Sequence, residues 1–386
     1  MTRHFSSDFI LGILGGGQLG KMLLYETRKW DITTHVMDSS PDAPCKIACN
    51  KFVLGDLNDY DAVLQFGRKV DVLTIEIEHV NLDALVQLEK EGVHVYPSPS
   101  TLALIKNKGV QKEFYHKHHI PTSSFEVYSN KEDLLQAFEN KVFNLPFVWK
   151  SCEGGYDGMG VEIVKTQDQL NTLPDQSCVR EDLIPFETEL AVIVARNTKG
   201  EAKTYSVVEM EFHPTANQVE YVLSPARISE EVAKKAQEVA LKVSEAFNNV
   251  GLLAVELFLT KSGEIIVNEV APRPHNSGHF SIEASFTNQF EQHIRCVLGL
   301  PLGDTSQKLP CVMVNLVGAE NHQGNVHYQG MEDLLAMPGV TPHIYGKRQT
   351  RPFRKMGHVS IVHHEIKEAR SIAAQVKDSI QVISID

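Results

Sequence analysis

The stretch Ala254-Val-Glu-Leu-Phe-Leu-Thr-Lys-Ser-Gly-Glu-Ile-Ile-Val-Asn-Glu-Val-Ala-Pro-Arg-Pro-His-Asn-Ser-Gly-His279 decides how this chain is interpreted. It contains two apolar runs, Leu252–Leu259 and Ile265–Val270, on either side of Lys261-Ser262-Gly263. Apolar runs that flank a short turn containing glycine are typical of a β-hairpin. The sequence therefore predicts two antiparallel strands joined at this tripeptide.

Two acids in this hairpin predict a metal-nucleotide site. If Ser262 and Gly263 are the central turn residues, Glu256 and Glu269 lie directly opposite each other, with Cβ atoms about 5 Å apart. Like charges in that position destabilise a sheet unless a cation lies between them, and Mg²⁺ commonly takes one or two carboxylates together with substrate phosphates. Asn268 should face the other side of a regular strand. The competing interpretation is a surface hairpin whose two acids extend into water.

Composition indicates an ordinary globular protein. Its 386 residues are enough for two or three domains, and 42% are apolar. The net charge of −12 argues against a general nucleic-acid surface but permits a local basic pocket. Six cysteines form no CxxC pair, and we found neither a signal peptide nor an apolar run of membrane-spanning length. We therefore expect a cytoplasmic protein that binds neither nucleic acid nor membranes.

The first hundred residues alternate strand and helix, which predicts a parallel, doubly wound sheet. The strand Phe9–Leu14 runs into Gly15-Gly16-Gly17-Gln18-Leu19-Gly20, and a helix should follow over Gln18–Lys29. This GxGxxG turn, with Asp38 after the next strand, is the pattern of a dinucleotide site, so an NAD(P)-dependent oxidoreductase is one alternative. The turn would, however, present backbone N–H groups to any anion.

The middle of the chain carries a second glycine-rich segment. Pro97-Ser98-Pro99 indicates a domain boundary, and one helix is predicted over Ser100–His118. Pro146–Lys150 should be a buried strand that ends in a lysine, followed by a loop that reaches Gly160. Glycines in that loop permit close backbone approach to phosphates, and Lys150 would reach their oxygens. A flexible hairpin turn is the competing interpretation.

Further strands and basic residues follow. An antiparallel set is predicted over Cys178–Asp182, Glu189–Arg196, Thr204–Phe212 and Val219–Leu223. Along a strand edge at Glu181–Ile184, an adenine could bond to the main chain. A helix is predicted over Glu230–Asn248, and a second boundary near Pro301. The tail carries two basic segments in an otherwise acidic protein, Tyr345-Gly-Lys347 and Arg354-Lys-Met-Gly-His358.

Over nearly its whole length the chain resembles the ATP-grasp ligases, and among them the N5-carboxyaminoimidazole ribonucleotide synthases. The similarity rests on Gly15–Gly20, Gly154–Gly160, Asn268–His279, Tyr345–Lys347 and Arg354–His358. The resemblance implies an α/β and α+β fold with three parts. These are a Rossmann-like pre-ATP-grasp domain at 1–97, an ATP-grasp domain at 98–305, and a small C-terminal domain at 306–386.

The resemblance also implies the reaction. ATP would phosphorylate bicarbonate to carboxyphosphate, which then carboxylates the amine of 5-aminoimidazole ribonucleotide in purine biosynthesis. ATP and Mg²⁺ are the implied cofactors, without biotin, and a homodimer is the implied assembly.

Site residues are carried over position by position. The implied metal ligands are Glu256 and Glu269. The implied nucleotide contacts are Lys108, Lys150, Gly154, Gly155, Tyr156, Asp157, Gly158, Gly160, Glu181, Asp182, Leu183, Ile184, Glu189, His213, Asn268 and Glu269. The implied substrate contacts are Gln18, Leu19, Glu76, Tyr156, Asp157, Arg273, His275, Asn276, Ser277, Lys347, Arg354 and Lys355.

Four of these residues have implied catalytic roles. Asp157 would orient the amine, Arg273 would hold carboxyphosphate with its planar guanidinium, and His275 would carry a proton. Lys347 completes the catalytic set, and together with Arg354 and Lys355 it would hold the ribonucleotide's 5′-phosphate.

Two residues depart from the family pattern, and two further alternatives stay open beside the oxidoreductase. Met159 stands where the family usually has lysine or arginine, which leaves a non-catalytic relative open, and His79 replaces a usual asparagine. Within the fold, the formate-dependent glycinamide ribonucleotide formyltransferases would use the same cofactors. The Asn276–His279 continuation and the Arg354–His358 string favour the carboxylating family.

Overall fold

A computed structural model describes residues 4–154, 160–214, 216 and 218–385. Its first part is a parallel sheet in the order β3-β2-β1-β4-β5, flanked by helices. As predicted, α1 spans Gln18–Lys29, and the side chains of Asp59 and Asn81 cap the next two helices. The elements are β1 (Ile10–Leu14), α1 (Gln18–Lys29), β2 (Thr33–Asp38), β3 (Lys51–Leu54), α2 (Tyr60–Gly67), β4 (Val72–Ile75), α3 (Leu82–Lys90) and β5 (His94–Tyr96).

The single helix predicted over Ser100–His118 is wrong, because the chain forms α4 (Pro99–Lys106) and α5 (Lys108–Lys117) with a break at Asn107. Asn107 has extended backbone angles, and its side chain accepts a hydrogen bond from the Val110 amide. A short polar side chain that bonds its own backbone competes with the helix and starts a new one. The break places Lys108 at the first position of α5.

A small antiparallel sheet, in the order β6-β9-β7-β8, follows. The predicted grouping of Cys178–Asp182 with the later strands is wrong, because this segment lies between β6 and β7 in the small sheet. The elements are β6 (Phe125–Tyr128), α6 (Lys131–Glu139), β7 (Phe147–Ser151), β8 (Val161–Val164), α7 (Gln167–Thr172) and β9 (Cys178–Asp182).

The large sheet runs β15-β14-β10-β12-β13-β16-β20-β18, with β11 paired to β10. Here the strand predicted over Thr204–Phe212 is divided in two. Helix α8 packs Ala236, Ala240 and Val243 onto this sheet. The elements are β10 (Phe186–Arg196), β11 (Ala202–Thr204), β12 (Val208–Phe212), β13 (Val219–Ser224), α8 (Glu230–Ala246), β14 (Gly251–Thr260), β15 (Ile265–Ala271), α9 (Ser281–Ala284) and α10 (Gln289–Val297).

The C-terminal segment extends the large sheet, because β16 pairs with β13. The predicted boundary at residue 305 therefore does not coincide with a gap between sheets. Strands β17, β19 and β21 form a further small sheet. The elements are β16 (Cys311–Val317), β17 (Gly324–Gln329), α11 (Met331–Leu335), β18 (Val340–Ile344), β19 (Gln349–Thr350), β20 (Lys355–Val362), α12 (Ile366–Ser379) and β21 (Gln381–Ile385).

No helix among the described residues combines the length and the apolar character needed to cross a membrane.

Candidate active site

The hairpin of β14 and β15 pairs Glu256 with Glu269, as predicted, but by a different route. Near the turn the register is one residue shorter than expected, since Leu259 pairs with Ile265. The loop contains Gly263 at φ +79, and a bulge between Leu257 and Glu256 restores the expected pairing. The shorter register near the turn and the bulge offset each other, so Glu256 and Glu269 still pair.

The bulge also changes where Asn268 points. This residue has no partner across the ladder, because Glu256 pairs with Glu269 and Leu257 pairs with Val267. Lys150 Nζ donates to Asn268 Oδ1 at 2.9 Å, and Lys108 Nζ lies 2.7 Å from Glu269 Oε2. The expectation that Asn268 faces away from the site is therefore wrong, because a bulge re-aims the side chains around it.

Three carboxylates on neighbouring strands of the large sheet, those of Glu189, Glu256 and Glu269, influence one another's ionisation. Burial, and then repulsion by Glu269 and Glu189, raises the pKa of Glu256. The Lys108 ammonium lowers the pKa of Glu269, against the effect of burial. Burial, reinforced by the Glu269 charge, raises the pKa of Glu189 to about 7. The site therefore holds protons at pH values where ordinary carboxylates are ionised.

These oxygen donors suit a hard divalent cation. Glu256 and Glu269 are paired across the hairpin, and the Asn268 amide oxygen contacts Lys150, whose charge acts on Glu269. No cluster of three or more His, Cys, Asp or Glu side chains that could hold a metal occurs in the described ranges. A cation here would complete its coordination with ligand oxygens, as Mg²⁺ commonly does with phosphates.

The raised pKa of Glu256 predicts a pH-dependent stability difference in the magnesium-free protein. Between the unfolded carboxyl pKa and the higher folded value, the folded state binds the extra proton, so ionising Glu256 destabilises the fold as pH rises. Glu256→Gln removes this effect, and its unfolding free energy relative to the parent should increase from pH 5 to pH 7.5. Urea unfolding in EDTA measures it, with the exposed Glu264→Gln as control. A difference in unfolding free energy that stays constant with pH would contradict the prediction. Added magnesium should instead make the parent more stable than Glu256→Gln.

A buried ion-pair network holds Lys150 in place from behind. Glu181 is 3% exposed, and its carboxylate lies 3.0 Å from Lys150 Nζ and 2.9 Å from Lys112 Nζ, with Ser123 Oγ donating at 2.6 Å. Although burial opposes ionisation, the charges of the two lysines lower the pKa of Glu181 to about 2. Sequence reasoning missed Lys112, although it stands one helical turn after Lys108 on α5.

Removing Lys112 should destabilise the protein strongly, because it breaks a buried ion pair and leaves the buried Glu181 carboxylate with Lys150 as its remaining lysine partner. Lys112→Met is expected to cost about 3 kcal/mol of unfolding free energy, and the exposed Lys117→Met on the same helix less than about 0.5 kcal/mol. Urea denaturation measures both variants. Equal losses would show that Lys112 contributes no more than a surface lysine.

The main-chain segment available to an adenine is shorter than the predicted Glu181–Ile184. Glu181 and Asp182 lie in β9, which pairs with strands on both sides, so their main chain is not at an edge. Their neighbours Leu183 and Ile184 leave the strand. Glu181 uses its side chain to hold lysines, and only the segment from Leu183 offers main chain outside the sheet.

Carboxylates bind the N-terminal glycine turn. Gly17 N and Gly20 N donate to Glu76 at 2.7 and 3.0 Å, and Gly16 N donates to Asp38 at 2.7 Å. Burial raises the pKa of Glu76, although the hydrogen bonds from the Gly20 and Gly17 amides oppose this effect. The N–H groups that a dinucleotide pyrophosphate would need are therefore already bonded, which argues against the oxidoreductase alternative.

The two predicted substrate contacts within this turn, Gln18 and Leu19, differ in how accessible their side chains are. Leu19 is 7% exposed and packs in the core with α10, so only its main chain could meet a ligand. Gln18 lines a cavity of about 140 Å³ between α1 and β18, together with Lys21 and Tyr345.

The segment after β15 brings Arg273 and His275 to the same site. Arg273 Nε lies 2.8 Å from Glu78 Oε2, an ion pair to the N-terminal domain. His275 Nε2 lies 3.5 Å from Glu256 Oε1, and His275 Nδ1 lies 2.9 Å from Ser277 Oγ. Ser277 is fully buried, so it orients the imidazole and does not line an open pocket.

Asn276 exchanges two hydrogen bonds with Asn315 on β16, at 2.8 and 3.0 Å. Its amide therefore fixes this segment to the C-terminal part of the large sheet.

The residues predicted to hold the 5′-phosphate, Lys347, Arg354 and Lys355, form hydrogen bonds within their own segment. Lys347 Nζ donates to Lys355 O at 2.7 Å, and the Lys355 charge acts on Glu256. Arg354 instead donates to Gln349 O at 2.6 Å, and burial, reinforced by the neighbouring Arg351, lowers its pKa.

The remaining predicted contacts lie beside the glycine loop and after β12. The base of the loop is closed by a hydrogen bond from Ser151 N to Gly160 O, and Gly154 and Gly160 have φ of +75 and +76. His213 accepts a hydrogen bond from Ala216 N, and its ring lies 6.0 Å from that of Phe353. The rest of the predicted loop contacts lie outside the described residues: Gly155, Tyr156, Asp157 and Gly158, with the departure Met159.

Comparison with known families confirms the predicted fold. The ribonucleotide synthetase pre-ATP-grasp domain matches residues 9–106, and the ATP-grasp domain matches residues 113–290. The phosphoribosylaminoimidazole carboxylase C-terminal domain matches residues 311–372. The exact limits at 97 and 305 remain predictions.

Among curated proteins, the chain is 38% identical over 365 residues to phosphoribosylaminoimidazole carboxylase of Ogataea methanolica, covering 91% of this chain. It spans only 66% of the length of that relative. It is also 37% identical to N5-carboxyaminoimidazole ribonucleotide synthase of Bacillus subtilis, over 92% of this chain and 91% of the relative.

Solved structures show the same similarity. The N5-carboxyaminoimidazole ribonucleotide synthetase of Thermotoga maritima has a TM-score of 0.90 and 40% identity, with 98% of this chain and 100% of that chain covered. The Aspergillus clavatus synthase in complex with ADP and 5-aminoimidazole ribonucleotide has a TM-score of 0.87 and 32% identity, with 96% and 98% covered. The chain therefore belongs to the N5-carboxyaminoimidazole ribonucleotide synthase family of ATP-grasp proteins.

Proposed function

We propose that this chain uses ATP and bicarbonate to carboxylate the exocyclic amine of 5-aminoimidazole ribonucleotide, a step of purine biosynthesis. The observation that carries the proposal is the paired Glu256 and Glu269, with Lys108 and Lys150 directed at the same hairpin. The Aspergillus clavatus relative, solved with ADP and this ribonucleotide, supports the choice of ligands.

The reaction proceeds in two steps. A bicarbonate oxygen attacks the γ-phosphorus of ATP, ADP leaves, and carboxyphosphate forms. The amine nitrogen then attacks the carboxyl carbon, the bond from that carbon to the phosphate oxygen breaks, and phosphate leaves as the nitrogen loses a proton. The products are the N5-carboxylated ribonucleotide, ADP and phosphate.

The chain's own residues bind and orient the reactants. Lys108 and Lys150 hold phosphate oxygens, and Arg273 holds carboxyphosphate with its planar guanidinium. In this proposal His275, which lies 3.5 Å from Glu256 Oε1, accepts the proton. Glu256 and Glu269 would hold Mg²⁺, which when bound neutralises charge that develops on the phosphates.

The remaining ligand contacts complete the proposal. Main chain near Leu183 and Ile184 holds the adenine, Glu189 the ribose, and Lys347 and Lys355 the 5′-phosphate of the ribonucleotide. Asp157, outside the described residues, orients the amine. A homodimer in the cytoplasm is the proposed state of the protein.

The decisive test supplies ATP, Mg²⁺ and ¹³C-bicarbonate with 5-aminoimidazole ribonucleotide. We expect a ¹³C-labelled carbamate signal, with ADP and phosphate formed in equal amounts. A parallel reaction with formate and glycinamide ribonucleotide should give no formylated product. Formylation without carbamate would overturn the proposal in favour of the formyltransferase.

A further inference from the structure

The side-chain amide of Gln289 binds the backbone on which His275 is carried. His275 N donates to Gln289 Oε1 at 2.9 Å, and Gln289 Nε2 donates to His275 O at 2.8 Å. The second proton of Nε2 points to His279 Nδ1, at 2.9 Å. These three bonds use both amide protons and the oxygen, so they fix which way the amide faces.

This amide sits in a close-fitting space at the start of α10. Gln289 is fully buried, and its own backbone N donates to Ser281 Oγ at 2.9 Å. A Cβ atom on Gly278 would lie 2.4 Å from Gln289 Oε1. Because a hydrogen-bonded, buried amide has nowhere to move, only glycine fits at position 278.

Pairing through the amide fixes His275 at both backbone groups. The two peptide units that flank His275 are thus held, one by its N–H and the other by its C=O, which restrains the backbone dihedrals of His275 and so the direction in which its side chain leaves. From there the imidazole reaches Ser277 Oγ at 2.9 Å and lies 3.5 Å from Glu256 Oε1. A buried residue on α10 therefore holds the backbone from which this imidazole extends.

We propose that Gln289 is a positioning residue, which acts through the backbone of His275 to hold its imidazole beside the paired carboxylates. This inference rests on the proposed function, in which His275 accepts the proton of the reacting amine. Gln289 need not touch substrate, so its loss should slow turnover more than it weakens ATP binding.

The same helix offers a matched control. Gln292 is also fully buried, and it exchanges two hydrogen bonds with the backbone of Gly303: Gly303 N donates to Oε1 at 2.8 Å, and Nε2 donates to Gly303 O at 3.2 Å. Both residues therefore clamp a loop with a buried amide. Of these two residues, Gln289 binds the segment that carries His275, whereas Gln292 binds the segment at Gly303.

The experiment compares Gln289→Leu, Gln289→Glu and Gln292→Leu in the full-length protein. Both leucine variants should lose similar stability in urea. Gln289→Leu should lower kcat about 10²-fold, since a misplaced reacting group can have an effect of that size, and leave KM for ATP within about twofold. Gln289→Glu retains the acceptor for His275 N, so its kcat should be about tenfold higher than that of Gln289→Leu.

Equal kcat for the two leucine variants would overturn the inference, and so would a rise in KM for ATP without a fall in kcat. An inactive parent protein would instead contradict the proposed function. In that case, histidine ¹⁵N NMR decides the positioning question, with signals assigned through His275→Gln. The His275 signals should shift in Gln289→Leu but not in Gln292→Leu, and unshifted signals in both would overturn the inference.

Discussion

Replacing Glu269 with glutamine should lower the rate of ATP-dependent carboxylation at least about 10³-fold, equivalent to ~4 kcal/mol of transition-state stabilisation. The substitution preserves shape but removes the charge that faces Lys108, whose Nζ lies 2.7 Å from Glu269 Oε2. It also removes one of the two carboxylates that would hold Mg²⁺. The phosphates of the transition state would then lose a metal contact. The positive charges of Lys108 and Lys150 beside them would also lose the balancing charge of Glu269.

Coupled measurement of ADP release, with titrated magnesium, tests this expectation. Glu264→Gln, on the same hairpin but exposed, should retain parental activity. Activity of Glu269→Gln within about tenfold of the parent would show that the hairpin carboxylate is not essential to phosphoryl transfer.

Replacing Lys150 with methionine should lower kcat/KM for ATP by about 10²- to 10³-fold, because a charged contact to phosphate is lost in a partly buried site. Lys150 lies at the centre of the network: its Nζ is 2.9 Å from Asn268 Oδ1 and 3.0 Å from Glu181 Oε1. Its loss also leaves Glu181 with Lys112 as its remaining lysine partner. Fold stability should therefore fall together with activity.

Steady-state kinetics and ATP titration by calorimetry check both effects. Lys165→Met, at an exposed position just after the adjacent strand β8, should change neither. An unchanged dissociation constant for ATP in Lys150→Met would contradict the proposed phosphate contact.

Local sequence patterns determined much of the fold. The alternation of strand and helix patterns over the first hundred residues predicted the parallel N-terminal sheet. Such elements form because their signals lie within a few residues of one another, where hydrophobic period and capping act. The hairpin was also predictable from its turn, but the pairing of Glu256 with Glu269 depends on a bulge that offsets the shorter register near the turn.

Long-range packing decided the rest. The bulge that turns Asn268 toward Lys150 has no local signal in an apolar strand. The break at Asn107, by contrast, has a local cause that the prediction missed, because the Asn107 side chain caps α5. Strand β9 joined the small sheet because strand partners are chosen in three dimensions.

The sequence by itself determined the type of fold, the family motifs and the presence of a hairpin that carries two acids, because these depend on residues close together in the chain. Only the tertiary structure decided that Glu76 and Asp38 bond the glycine turn, that Lys112 supports the site from behind, and that Gln289 holds the backbone of His275. In each case a buried polar group must find a partner, and that partner comes from a distant part of the chain.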